Sequence, residues 1–205
     1  GSQLLGILIS LVAVVIAITV HECSHAWMAD RLGDSTARLM GRVTLNPIAH
    51  LDPMGTVMMI LTALTGVGIG WGKPTPVNPT RLKYGSRVGY GVVALAGPIS
   101  NLLIGAFFGI LIRFIPISFR YVRLVLYIFS LTNFYLCFFN LLPFPPLDGF
   151  SVLIGILALF RGRWAWQATN WLRGIEPYGA TFLFGIIILL QFLNLPILSF
   201  LIGTP

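Results

Sequence analysis

The sequence predicts an all-α membrane protein, a polytopic bundle of about five to six transmembrane helices with a broken fourth helix and a short membrane-associated β segment. Three observations lead there. Hydrophobic residues make up 57% of the chain and charged residues only 9%, with a mean hydropathy of +0.90, whereas a soluble domain carries roughly 25% charged residues. Five long stretches are almost uncharged: Leu4 to Thr19, Met54 to Gly70, Val88 to Ile112, Leu124 to Leu142 and Ala180 to Ile202. Glycine and proline are abundant, at 22 and 13 copies, and broken helices at membrane depth are tolerated only where they pack on protein or line a wet cavity.

A helix needs about 20 apolar residues to cross the hydrocarbon core. The first stretch extends to about Leu32, where Gly33 supplies a helix-ending glycine. It lacks a basic leader and a cleavage site, so it is read as a retained helix. A polar loop, Gly33 to Pro53, leads to a second helix of marginal length, and the apolar run Leu153 to Phe160 is too short to span alone. Trp71 to Pro79 alternates apolar and turn residues and carries Pro74, Pro76 and Pro79, which reads as an extended edge segment. The third helix contains Ala96, Gly97 and Pro98, residues that permit close backbone approach and a kink. The fourth breaks at Asn140 to Pro146 and resumes after Asp148, and the last helix covers about 178–203. With no internal repeat and no soluble insert, 1–205 reads as one transmembrane domain, its motifs concentrated in 19–149.

The net charge of +7 does not indicate a nucleic-acid partner, because the basic residues sit in the short loops between apolar stretches. They flank the membrane, and since all the loops are about equally basic they do not fix orientation. Cys23 and Cys137 both fall in apolar helical stretches, so no disulfide is expected.

The chemistry concentrates at the end of the first apolar stretch, in His21-Glu22-Cys23-Ser24-His25. On a helix, residues i and i+4 share a face, so both imidazoles can reach one zinc while Glu22 acts as base toward the attacking water. Cys23 and Ser24 fall on other faces. Two of the chain's three histidines lie in this pentad, and an ionisable cluster adjoining lipid is costly unless it serves a purpose. A zinc hydrolase needs a third protein ligand, for which His50, Asp52, Asp148 and Glu176 are the candidates. Asp148 is the strongest: it lies between apolar helices, where an unpaired carboxylate is expensive unless it meets a cation. Its structural alternative is an N-cap for the helix that follows. His50 and Asp52 read as braces or caps for the second helix. Ser24, Asn101, Asn133 and Asn140 are polar residues that wet a cavity or bond between helices.

HECSHAW, the loop GDSTARLMGRVTLNPIAHLDPMGT, the run GWGKPTPVNP, LAGPISN and NLLPFPPLDG together resemble the site-2 protease family of intramembrane zinc metalloproteases, in its small form without PDZ or CBS domains. The resemblance covers about Thr19 to Gly149. It implies one zinc per chain held by His21, His25 and Asp148, with Glu22 as catalytic base and Asn140 orienting substrate. It also implies transmembrane segments of other proteins as substrates, the lipid bilayer as surroundings, and a site nearer the cytosolic side of the cell membrane. It leaves the oligomeric state and the role of the last helix open. Two other classes share parts of the pattern. A transporter also carries polar residues at depth, but inverted repeats are lacking. A catalytically silent relative would bind membrane clients without cutting them, against which stands the full set of matched catalytic residues.

Overall fold

The computed structural model describes residues 2–65 and 70–193. The far end of the expected last helix, and the end of the second apolar stretch, lie outside those residues. Eight α-helices form among the described residues: α1 (Ser2–Arg31), α2 (Thr36–Leu39), α3 (Pro53–Thr65), α4 (Ser86–Ile112), α5 (Arg120–Asn140), α6 (Asp148–Leu157), α7 (Arg163–Ile175) and α8 (Gly179–Phe192). Four helical runs are long and apolar enough to cross a membrane: Leu4–Arg31, Ser86–Ile112, Arg120–Asn140 and Arg163–Leu189. The last joins α7 and α8 through a 3-10 turn at Glu176–Tyr178. Large apolar side chains such as Leu103, Phe107 and Ile110 of α4 face outward, an arrangement that suits lipid and not water. This is a multi-pass membrane protein.

The helix ends follow from local chemistry. α1 closes where Gly33 adopts φ 106°. The Gly33 N–H donates to Asp30 O at 3.1 Å and the Asp34 N–H to Ala29 O at 2.9 Å, the paired bonds of a Schellman stop. α3 begins on a proline, and Asp52 caps it by accepting the Gly55 N–H at 2.8 Å. Arg123 of α5 donates to the carbonyls of Ile112 and Ile115 at 3.0 and 2.7 Å, bonding the last residue of α4 and the turn that follows it.

α4 is the central helix and packs against α1, α5 and α6. Its buried positions are largely small, including Gly89, Gly91, Ala94, Ala96, Gly97 and Gly105, which lets neighbouring backbones approach. At Gly91 and Gly155 the approach is backbone to backbone: a Cβ built on either would stand 3.0 Å from the other's Cα. Gly91 also faces Ser151 O, and Gly155 faces Arg87 O, so α4 and α6 run antiparallel and α6 carries its first residue, Asp148, toward the middle of α4.

The expected edge segment, 70–78, forms neither helix nor strand among the described residues; it makes a single antiparallel bridge, Leu51 with Gly72. The Lys73 N–H donates to His50 O at 2.7 Å, and the Arg42 guanidinium donates to Lys73 O. The Asn78 N–H donates to Asp34 Oδ2 at 2.6 Å. These bonds lay the segment along α1, where a Cβ on Gly72 would meet Ile18 Cγ2 at 2.6 Å and Glu22 Cγ at 3.8 Å.

Candidate metal centre

His21, Glu22 and His25 lie on the last turns of α1, with both imidazoles buried. Their rings meet edge to face with centroids 4.6 Å apart. α4 crosses directly over them at Gly97, and the first residue of α6, Asp148, reaches the same imidazoles. His21 Nε2 stands 2.9 Å from Asp148 Oδ2, and His25 Nε2 stands 3.3 Å from the same oxygen. Among the described residues, this trio is the one group of three His, Cys, Asp or Glu side chains whose ligand atoms lie within 4.8 Å of one another. Asp148 does not cap its helix: Leu147 occupies the cap position and no side-chain cap bond forms. As the first residue of α6, the carboxylate is favoured by the helix dipole.

The hydrogen bonds behind the imidazoles fix their tautomers. Asn101 Nδ2 donates to Ala17 O at 3.1 Å and to Asn133 Oδ1 at 2.8 Å, and Asn133 Nδ2 donates to Phe129 O at 2.9 Å. Since Ala17 O can only accept, the Asn101 amide has one orientation and its Oδ1 faces His21 Nδ1, 2.6 Å away. His21 Nδ1 therefore carries the hydrogen. By the same reasoning His25 Nδ1 donates to the Val93 carbonyl at 2.8 Å. In the neutral rings both Nε2 atoms are then bare lone pairs, aimed at a carboxylate oxygen that is itself an acceptor. With the rings neutral, two lone pairs and a carboxylate oxygen converge on one point, and two imidazoles with one carboxylate form a set that zinc accepts. The residues present fit the metal.

Glu22 stays outside the trio. Its carboxylate Oε2 accepts from Thr75 Oγ1 at 2.8 Å, a contact from the extended segment.

Comparison with known proteins agrees with the motif. The chain is 37% identical over 151 residues to a Bacillus subtilis protein named "Putative zinc metalloprotease YwhC", a match covering 69% of this chain and 66% of the relative. The chain belongs to the site-2 protease family. A protein named "Putative zinc metalloprotease Rip2" from Mycobacterium tuberculosis is 30% identical over 148 residues, and its Mycolicibacterium smegmatis counterpart is 28% identical over 145. These two matches cover 68% of this chain and 53% of each relative, so the chain spans about half the length of those proteins. No family model and no solved structure matches it.

The other candidate ligands go elsewhere. His50 is fully buried, with Nε2 2.8 Å from Thr44 O, and Asp52 caps α3. Glu176 is exposed in the 3-10 turn after α7. Asn140 is the last residue of α5, and its Nδ2 donates to Leu136 O at 2.9 Å. Ser24 bonds back to Val20 O within its own helix at 2.7 Å. Cys23 and Cys137 are both free thiols. Sequence reasoning missed two features: the directed chain from His21 through Asn101 to Asn133, and the Thr75 contact with Glu22.

Proposed function

We propose that this chain is a zinc endopeptidase that hydrolyses peptide bonds within or near transmembrane segments of other membrane proteins. The observation that carries the reading is the convergence of His21 Nε2, His25 Nε2 and Asp148 Oδ2, with Glu22 beside them and outside the trio. His21, His25 and Asp148 would hold one zinc per chain, which would supply Lewis acidity toward the scissile carbonyl and the attacking water near neutral pH. Glu22 takes the proton from the attacking water and delivers it to the leaving amine. The amide chain behind His21 and the Val93 carbonyl behind His25 keep both rings in the tautomer that presents Nε2. Asn140 orients the substrate backbone.

A transmembrane substrate must unwind before it is cut, and the segment 70–78 offers its backbone a partner. In an extended chain alternate residues share an edge. Lys73 directs its N–H and C=O toward His50 and Arg42, which leaves Gly72, Pro74 and Pro76 on the opposite edge. Since proline has no N–H, that edge is mainly a row of carbonyl oxygens, and a bound substrate strand donates its own N–H groups to it. In this reading 1–205 is a single transmembrane domain of five to six crossings. α5 and α6 form one crossing broken at 141–147, and the site opens nearer the cytosolic side of the cell membrane.

The test pairs two measurements on purified wild type and Glu22→Gln. Zinc content, read by anomalous scattering at the zinc edge, is expected to be equal and centred on His21, His25 and Asp148. Cleavage of a single-span membrane substrate is expected to fall by at least the ~10²–10⁴-fold that general-base catalysis contributes. A Glu22→Gln protein that cleaves at the wild-type rate overturns the mechanism. A wild type that binds zinc but cuts no membrane substrate favours a silent client-binding relative.

A further inference from the structure

The group that holds Glu22 comes from the extended segment and not from the helix bundle. Thr75 Oγ1 lies 2.8 Å from Glu22 Oε2 and 3.0 Å from the Glu22 carbonyl oxygen. A hydroxyl has a single hydrogen to give, and an ionised carboxylate is the stronger acceptor, so the bond to Oε2 dominates. Thr75 has little freedom of its own. Pro74 and Pro76 on either side restrict the backbone, the bonds of Lys73 to His50 and Arg42 anchor it on one side, and the Asp34 bond to the Asn78 N–H anchors it on the other. The partly buried Val77 packs against the cluster of Ala29, Leu32, Leu82 and Val93, which keeps the side-chain face of Thr75 turned to α1.

We infer that Thr75 is a positioning residue for the catalytic base: its hydroxyl fixes one carboxylate oxygen of Glu22 and thereby leaves the other as the oxygen that accepts the proton. The inference rests on the proposed role of Glu22. It adds a coupling that the trio does not contain, because the segment along which the substrate is proposed to lie is also the segment that orients the base. A substrate that seats on the outer edge of 72–76 presses on the same backbone that carries the Thr75 hydroxyl, so recognition and base placement share one structural element.

The test compares Thr75→Val, which keeps the β-branched shape and removes the donor, with Thr75→Ser, which keeps the donor. Zinc content, KM and kcat are measured for a single-span membrane substrate, with Glu22→Gln in the same assay. Thr75→Val is expected to hold wild-type zinc and KM while kcat falls by about 10–100-fold, the range typical of losing a partner that orients a site residue. Thr75→Ser is expected to restore kcat to near wild type. Wild-type kcat in Thr75→Val overturns the inference, as does a rise in KM alone, and so does a loss of activity that serine fails to rescue. If Glu22→Gln also cleaves normally, the failure lies with the role of Glu22; if Glu22→Gln is inactive while Thr75→Val is normal, only the Thr75 inference fails.

Discussion

Gly97 lies against His25 so closely that a Cβ on it would stand 2.4 Å from His25 Nε2 and 2.6 Å from Cε1, and 2.7 Å from Cε1 of His21. The absent side chain of α4 is therefore the space that the two imidazoles occupy. Gly97→Ala is expected to displace both rings and to lower zinc retention by about tenfold or more, the scale on which disturbed ligand orientation acts. Gly6→Ala is the control, since a Cβ there meets nothing within 4 Å. Metal analysis after mild chelation reads the difference; equal retention by the two variants would show that α4 can yield at this point.

Asp148 and Asp52 give a second comparison. Asp148 Oδ2 faces both Nε2 atoms, whereas Asp52 accepts a backbone N–H at the start of α3. Asn is itself a good N-cap, so Asp52→Asn is expected to keep its zinc. Asp148→Asn removes the only negative charge of the trio and is expected to lose zinc at a chelator concentration that leaves Asp52→Asn loaded. The reverse order would remove Asp148 from the metal.

The amide chain predicts an effect from a residue that does not touch the trio. Asn133 is fully buried and bonds to Asn101 at 2.8 Å, which in turn bonds to His21 at 2.6 Å. Asn133→Leu leaves Asn101 Nδ2 with Ala17 O as its one remaining acceptor, which keeps the sense of the amide but loosens its hold on His21. Zinc affinity is expected to drop by roughly 10–100-fold, as for other partners behind a ligating histidine. Titration with a competing chelator measures it, and unchanged affinity would mean that Asn101 is oriented by Ala17 alone.

Asp34 supplies a pH prediction outside the membrane-spanning helices. Its burial alone would raise the carboxyl, but hydrogen bonds from Thr36 and the Asn78 N–H, with the nearby Arg81 charge, outweigh that and hold it below the ordinary carboxylate range. The folded value thus lies below the unfolded one. Its contribution to stability is complete above the unfolded pKa of about 3.9 and is lost as pH falls through the folded value. Asp34→Asn is expected to cost about 1–3 kcal/mol at neutral pH, the penalty of an unsatisfied buried donor, and to flatten the acid limb of the stability profile. Thermal unfolding of both proteins from neutral to acid pH is the measurement; parallel profiles would exclude Asp34 as their source.

Much of the geometry of the candidate site was legible because its spacing is local. His21 and His25 share a helix face by their i, i+4 separation, and Asp148 stood out as a carboxylate isolated between apolar helices. Gly33 announced the end of α1 to within a residue or two. Other features depend on contacts between distant helices and leave no periodic mark. Asn101 was visible as a polar residue in α4, but its partners His21 and Asn133 come from α1 and α5, and nothing in sequence spacing pairs them. Gly97 read as a small residue for close packing without revealing what fills the gap. The prolines Pro74, Pro76 and Pro79 suggested an edge segment, and among the described residues that segment makes one isolated bridge, Leu51 with Gly72, and no strand.

The contact of Gly91 with Gly155 has a mechanical meaning for the metal. Gly97 lies six residues along α4 from that contact and Asp148 seven along α6, which at 1.5 Å per residue places each on an arm of roughly 9–11 Å. The two arms are nearly equal, and the glycine contact is the fulcrum. A scissoring of about 10° between the helices sweeps Asp148 through close to 2 Å relative to Gly97, by the same helix rise. Metal–ligand distances are satisfied only within about ±0.2 Å, so even a rotation of a few degrees has to be absorbed by the side-chain torsions of Asp148. Added bulk at Gly155 therefore bears on the carboxylate two helical turns away as well as on its own contact with Gly91.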